Sequence, residues 1–198
     1  MSKVQQASID SLHPTQITVG MLEVKEKRKH LASLSSKAQQ DFLTAHPMPV
    51  VLGPGKKLYI TDHHHLARAA LDGGVKVACF EIEADLSSLD TDEFWEKMDE
   101  NSWVHPLDQN GVRHRYVSLP DHMSQLIDDV YRSLAGFVRD AGGFEKTRTA
   151  FAEFIWADFF RRNISIEDVA ADFQKSVHRA QRLARSPIAK GIPGYKDA

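Results

Sequence analysis

The residues that could carry chemistry are concentrated in one short stretch, where an acid and three histidines follow an apolar segment. Asp62 is followed by His63, His64 and His65, and Arg68 comes about one helical turn later. The stretch is typical of a strand that runs into a short, alanine-rich helix. Because the first N–H groups of a helix lack intrahelical acceptors and carry a positive partial charge, this point suits a phosphate or another anion. Histidines there could donate hydrogen bonds, transfer protons or bind a metal.

Two other interpretations of the histidine run stay open. In the first, the histidines only flank an exposed helix end, with one of them partly buried and hydrogen-bonded. The second is a metal site, which is disfavoured because neighbouring helical side chains point roughly 100° apart. Three consecutive histidines therefore cannot all bind one ion, and the sequence identifies no further metal ligands. For the helix itself, we predict that Asp62 accepts a hydrogen bond from the backbone N–H of His64 or His65.

The elements that must position this stretch combine strand and helix signals. Residues 50–52 and 57–60 flank a Gly-Pro-Gly-Lys turn at 53–56, which indicates a hairpin. A short helix through Leu71 and a strand over 75–82 follow. Residues 9–82 should therefore form a small mixed sheet with helices.

The second half of the chain has a helical pattern. From Pro120 onward, apolar residues recur at helical spacing. They are Met123, Leu126, Ile127, Val130, Leu134, Val138 and Ala141. We predict three helices within residues 120–186, opening at Pro120, Phe144 and Ser165. The fold class is α+β, with an α/β domain over 1–110 and a helical region over 111–198 that packs on or beside it.

The histidine stretch resembles the ParB/sulfiredoxin-like superfamily, in which a strand leads into an Asp-Gly-His-His-Arg-Leu-like turn and then a helix of small residues. Asp62, His64 and His65 match the acid and the two histidines of that turn. His63 replaces the usual glycine. The arginine of the motif has its nearest counterpart in Arg68, two positions late.

Other segments extend the resemblance over nearly the whole chain. Residues 12–16 match the opening box of the family, in which a proline and Gln16 follow the first strand. Residues 128–135 and 151–160 resemble a bacterial subgroup described as ParB-like nucleases. The expected fold is therefore a ParB/sulfiredoxin-like mixed sheet, followed by an all-helical region.

The resemblance implies a protein that binds a nucleotide or another phosphate-bearing ligand at the Asp62–His65 helix end. The implied activity is that of a nuclease or nucleotide hydrolase, for which a divalent metal ion is a candidate cofactor. The implied ligand-binding residues are Gln16, His63 and Arg68, and the implied catalytic residues are Asp62, His64 and His65.

A different class of function, a non-catalytic DNA-binding or partition-like adaptor, is the alternative. The net charge of −2 is unremarkable, but residues 111–198 hold 14 Lys and Arg against 11 Asp and Glu. The predicted last helix has one basic side, and its pattern faintly resembles a helix-turn-helix. That side comprises Lys175, His178, Arg179, Arg182 and Arg185. The short apolar runs and the single cysteine, Cys79, favour a cytoplasmic protein without a membrane partner.

The site hypothesis makes a prediction about pH. Phosphate should bind more tightly below about pH 6.5, because an imidazolium attracts an anion and a neutral ring does so weakly. Replacing His64 and His65 by alanine should weaken binding and flatten its pH dependence while the fold stays intact. A phosphate titration between about pH 5.5 and 8 checks this, with the pH range set by the ordinary histidine pKa. Equal affinities at every pH would contradict the hypothesis.

Overall fold

Strands and helices alternate in the first two-thirds of the chain, and helices alone follow. The computed structural model describes residues 3–197. Its strands are β1 (Gln5–Ser8), β2 (Leu12–Pro14), β3 (Thr18–Val19), β4 (Met48–Leu52), β5 (Leu58–Ile60), β6 (Val77–Asp85) and β7 (Ile127–Asp128). Its α-helices are α1 (Met21–Ser33), α2 (Ser36–Ala45), α3 (His64–Asp72), α4 (Thr91–Glu100), α5 (Val130–Asp140), α6 (Ala152–Asn163), α7 (Ile166–Ala171) and α8 (Phe173–Ala184).

A mixed five-stranded sheet forms the first part of the fold. Its strand order is β1-β6-β4-β5-β2. β4 and β5 are antiparallel neighbours, which confirms the predicted hairpin, whereas β2 runs parallel to β5 and β4 runs parallel to β6. The α+β class and the ParB-like fold predicted from the sequence are confirmed.

The parallel pairing of β2 with β5 determines where the segments after these two strands lie. Pro14 lies opposite Ile60 in the register, so both strands end at the same edge of the sheet. The residues that follow the two strands, beginning with Thr15 and Thr61, are therefore brought together. Ile60 is fully buried, which anchors the end of β5 before the chain turns into α3.

The described chain divides into two compact units. The first contains residues up to Val19 and Val24–Ile127, and the second contains Gly20–Glu23 and residues from Asp128 onward. The boundary predicted near residue 110 lies inside the first unit, and a division into domains 1–110 and 111–198 stays a prediction. No helix within residues 3–197 combines the length and apolar character that a membrane span requires.

The first predicted C-terminal helix begins later than expected. Helix α5 begins at Val130 rather than at Pro120, with Asp129 as its N-cap accepting from the backbone N–H of Tyr131. Residues 123–125 form a 3-10 turn instead. The predicted start at Pro120 was wrong because Met123 and Leu126 continue the helical spacing of apolar residues without being helical. Both side chains are buried, but they lie outside any α-helix.

The two later helices also differ from the prediction. Helix α6 begins at Ala152, since residues 141–151 are irregular. The helix predicted from Ser165 is two helices, α7 and α8, separated by Asp172 alone. Asp172 has an extended backbone, and its carboxylate accepts from the backbone N–H of Lys175 as the N-cap of α8. The second unit therefore has four α-helices among its described residues rather than three.

The second unit has an apolar core and one enclosed ion pair. Trp156 and Phe160 are fully buried at the centre of that core. Arg132 is buried and donates to the Glu23 carboxylate over 2.7 Å. Gly136 lies against the same carboxylate, and a Cβ atom at this position would overlap it. The absence of a side chain at Gly136 thus makes room for the ion pair.

We expect Gly136→Ala to lower the free energy of unfolding, although alanine is the better helix former. The added methyl group must displace the Glu23 carboxylate from Arg132, and we expect overpacking of this kind to cost about 1–3 kcal/mol. In a Glu23→Ala background the clash is absent, so the same change should stabilise the protein by up to about 1 kcal/mol. Denaturant unfolding of the four variants measures both effects. The same effect in both backgrounds would contradict the prediction.

Candidate functional site

The candidate site begins where β5 turns into α3. After Ile60 the chain passes Thr61 and Asp62, and His63 then adopts a left-handed conformation with φ of 65°. This is the position at which the resemblance predicts glycine, the residue that adopts such a conformation most readily. Helix α3 then packs closely through small, fully buried residues. They are Ala67, Ala69 and Ala70.

Asp62 lies one position before the N-cap residue of α3. Its Oδ1 accepts from the backbone N–H of His63 over 2.6 Å. The left-handed turn makes His63 the N-cap residue, and that residue has no side-chain capping bond. The predicted acceptance from the N–H of His64 or His65 stays a prediction. Asp62 is exposed, so its carboxylate lies at the surface beside the helix start.

His64 is a buried link between β2 and α3. The backbone N–H of Thr15 donates to His64 Nε2 over 3.0 Å, and the Thr15 hydroxyl donates to the Ile60 carbonyl over 2.8 Å. A ring nitrogen that accepts from an N–H group carries no proton. His64 is therefore neutral in this arrangement, with its proton on Nδ1. Its Nε2 is occupied by the hydrogen bond that joins the end of β2 to α3. The catalytic role of His64 stays a prediction.

The other predicted site residues His63, His65 and Gln16 are sequence neighbours of His64 or Thr15, which form this hydrogen bond. His63 is half-buried and His65 is buried. Gln16 directly follows Thr15 and is buried, and its role in ligand binding stays a prediction. Since both His64 and His65 are buried, replacing them together would remove packed groups. We therefore expect the double variant to lose stability, contrary to the expectation that its fold stays intact.

His105 is a residue of this neighbourhood that the sequence analysis missed. Its backbone N–H donates to the Thr15 carbonyl over 2.8 Å, and it forms an isolated parallel bridge with Gln16. His105 lies in a segment without helix or strand periodicity, 40 positions beyond His65 in the sequence. No spacing rule connects it to the histidine run, so no signal in the sequence could have identified it.

Arg68 forms its hydrogen bonds in a different part of the first unit. Its Nε donates to the Asp72 carboxylate, and its Nη1 donates to the carbonyls of Met123 and Leu126, each over 3.1 Å. Asp72 lies one turn further along α3, so this pairing directs the guanidinium away from the helix N-terminus. The structure therefore places Thr15, the residue before Gln16, against His64, whereas Arg68 forms its hydrogen bonds elsewhere. Among residues 3–197, no three His, Cys, Asp or Glu side chains are grouped to hold a metal.

The buried Thr15–His64 bond gives a prediction for stability. His64→Ala leaves the Thr15 N–H group without its acceptor, which should lower the free energy of unfolding by about 1–3 kcal/mol, with a further loss from the cavity. His178→Ala is the matched control, because His178 is exposed on α8 and surface changes usually stay within about 0.5 kcal/mol. Thermal or denaturant unfolding compares the two. Equal stabilities would show that the bond contributes nothing.

Comparison with known proteins places this geometry in a family. A family model described as "Putative ParB-like nuclease" matches residues 5–162. The crystal structure of protein Atu1540 from Agrobacterium tumefaciens is 39% identical, with a TM-score of 0.94 over 100% of this chain and 98% of that chain. C-terminally truncated ParB from Caulobacter crescentus, complexed with CTP-gamma-S, is 13% identical, with a TM-score of 0.32 over 93% of both chains. No curated protein matches. With its family match spanning most of its length, the chain belongs to the ParB-like nuclease family.

Proposed function

We propose that this protein binds a phosphate-bearing ligand of the nucleotide class at the N-terminus of α3. The observation that carries the proposal is the convergence of three chain segments at that point. The Thr15–His64 hydrogen bond joins the exit of β2 to the first turn of α3, and the Thr15 carbonyl accepts from His105. The backbone at residues 15, 16 and 105 is thereby held beside the first turn of α3, which supports the proposal.

The electrostatics of the helix start favour an anion. Backbone N–H groups in the first turn of α3 have no carbonyl four residues earlier within the helix, and the helix dipole adds positive potential. His63 and His65 add imidazole groups that can donate to phosphate oxygens, and they attract an anion more strongly once protonated. Asp62 opposes this, because its exposed carboxylate repels an anion at the same helix end.

The family resemblance adds a reaction to the proposed binding, which is hydrolysis of a phosphodiester or a nucleotide at this site. In such a reaction His64 would act as a positioning residue, because its Nε2 already accepts from Thr15. Asp62 and His65 would be left to act on the bound phosphate or on water. The proposal assigns no metal ligands, because no three His, Cys, Asp or Glu side chains are grouped to hold a metal among the described residues.

Binding of inorganic pyrophosphate in the presence of a chelator tests the proposal. Wild-type affinity should rise as the pH falls below about 6.5, the ordinary histidine pKa. His63→Gly should weaken binding by roughly tenfold at the acidic end, which corresponds to one lost charge-assisted hydrogen bond. It should not cost stability, because glycine readily adopts the left-handed turn. Asp62→Asn should tighten binding, since the amide oxygen can still accept from the His63 N–H while the negative charge is gone.

The control for this titration is His46→Ala, which removes an exposed imidazole at the C-terminal end of α2. We expect His46→Ala to bind pyrophosphate as the wild type does at every pH. Isothermal titration of the four proteins measures the affinities, and a parallel titration with ribonucleoside triphosphates tests the nucleotide class. Identical affinities for wild type and His63→Gly, together with no effect of Asp62→Asn, would rule out this site.

DNA binding through α8 is a second candidate function, favoured by the arrangement of the last two helices. α7 and α8 are separated by one residue, and the exposed side of α8 is basic. Arg179 donates to the Asp168 carboxylate, and Arg185 donates to the Gly142 carbonyl. The side chains of Lys175, His178 and Arg182 make no hydrogen bond or ion pair within the described part of the chain, which leaves them available to phosphates.

Duplex DNA binding at increasing salt separates this candidate from the first. If α8 contacts the backbone, replacing both Lys175 and Arg182 by glutamine should reduce the slope of log affinity against log salt by about 1.8. His63→Gly should leave DNA binding unchanged. The control exchanges Lys25 and Lys27, two exposed bases of α1, for glutamine. A salt slope that is unaffected by the α8 changes would exclude this surface.

A further inference from the structure

Strand β1 is an open edge of the five-stranded sheet in the first unit. It pairs with β6 on one side, and on its other side it pairs with no strand within residues 3–197. Three of its four residues are exposed, and Ala7 is half-buried. An edge strand presents backbone N–H and C=O groups with which the strand of another molecule can pair. The pairing of β1 with β6 determines which of these groups point outward.

The hydrogen-bonding pattern of β1 leaves the backbone groups of Gln6 and Ser8 pointing outward. β1 is antiparallel to β6, and the Ile9 N–H group donates to the Lys76 carbonyl over 3.0 Å in the same register. In an antiparallel ladder, hydrogen-bonded residues alternate with residues whose N–H and C=O groups face away. Ala7 is therefore hydrogen-bonded to β6, as Ile9 is. Gln6 and Ser8 alternate with these positions and direct their backbone groups away from the sheet.

β1 is short, but it lacks the other features that protect an exposed edge strand. Natural edges are blocked by charged side chains, prolines or bulges, whereas residues 4–8 contain no charged residue and no proline. The register with β6 is regular along the strand, without a bulge. The Ser8 carbonyl accepts from the Ser11 hydroxyl over 2.6 Å and keeps a second lone pair. Within the described residues, the outward groups of Gln6 and Ser8 are therefore available to a further strand.

Two opposite charges flank this uncharged strand. Lys3 precedes β1 and Asp10 follows it, and both residues are exposed. Neither side chain forms an ion pair or a hydrogen bond among residues 3–197. When two copies of β1 pair in antiparallel fashion, the Lys3 end of each copy lies beside the Asp10 end of the other. The charges then attract across the interface, so a second copy of β1 complements this edge in charge as well as in backbone groups.

We propose that two copies of this protein associate through β1, antiparallel about a two-fold axis, so that their five-stranded sheets join into one. Pairing Gln6 of each copy with Ser8 of the other uses the outward groups of both residues and places Ala7 on the axis. Strands approach most closely at such a position, to about 4.5 Å between Cα atoms, and the small alanine side chain permits this. We expect the contact to bury less than about 1,200 Å², which is typical of weak complexes. The association does not depend on any ligand at α3.

Sedimentation equilibrium over a range of protein concentrations tests the association. We expect the mean mass to rise above the monomer mass of 22.3 kDa, towards twice that value, as the concentration approaches about 1 mM. Gln6→Pro removes an outward N–H group but no bond to β6, and edge strands tolerate proline at such positions. It should weaken association by about tenfold or more, because each dimer loses two interchain hydrogen bonds. Ser36→Pro is the matched control, since proline is tolerated at the first position of α2; it should leave association unchanged.

Exchanging the flanking charges decides whether the partner strand is a second copy. Lys3→Glu should weaken association, because each new carboxylate then lies beside Asp10 of the other copy. Combining Lys3→Glu with Asp10→Lys restores opposite charges across the two-fold axis and should restore association. Both positions are exposed, so these variants keep the test valid even if Gln6→Pro fails to fold.

Amide hydrogen exchange gives an independent measurement of the register. The N–H groups of Gln6 and Ser8 should gain protection as the protein concentration rises. The Ala7 N–H group, which is bonded to β6, should be protected to the same degree at every concentration. A chain that stays monomeric at about 1 mM leaves the edge to a foreign strand or to water and overturns the proposal. Association that neither Gln6→Pro nor Lys3→Glu weakens would place the interface elsewhere and overturn it equally.

Discussion

The geometry of the candidate site depends on the hydrogen bond from the Thr15 N–H group to His64 Nε2. It is buried, it spans 49 positions in the sequence, and it joins the end of the edge strand to the first residue of α3. Because its acceptor must be an unprotonated nitrogen, it also fixes the tautomer of His64. Gln16 and His105 lie near the helix start because Thr15 is held there.

Helix α3 makes two separate sets of contacts, one from its first turn and one from its middle. Its first turn meets the segments that follow β2, whereas Arg68, one turn further, holds the carbonyls of Met123 and Leu126. Ala67, Ala69 and Ala70, on either side of Arg68, are fully buried and allow the helix to pack closely. One short helix therefore holds both the segment that follows β2 and residues 123–126.

In the described part of the second unit, the two buried charged residues, Asp129 and Arg132, each have an oppositely charged partner. Asp129 is buried and caps α5, and burial raises the pKa of its carboxyl group, although Arg161 acts against that rise. Arg161 donates to both Asp129 and Asp158, and Arg132 donates to Glu23 beside Gly136. An unpaired charge in these places would cost several kcal/mol, roughly 3–5 for a broken buried pair. The helices of this unit are therefore specified by these pairs as well as by their apolar stripes.

Local signals in the sequence determined the hairpin at 48–60, the strand–turn–helix around Asp62 and the family resemblance, because turn residues and apolar periodicity act over a few positions. They did not determine where α5 begins, since Met123 and Leu126 continue the helical spacing while packing outside any helix. The tertiary structure alone decided that His64 supports the fold, that Arg68 faces Asp72 and residues 123–126, and that His105 joins the site. Each of these depends on contacts between residues distant in the sequence or on which side chains become buried. Residue type and spacing do not reveal such contacts, because distant residues meet and become buried only when the whole unit packs.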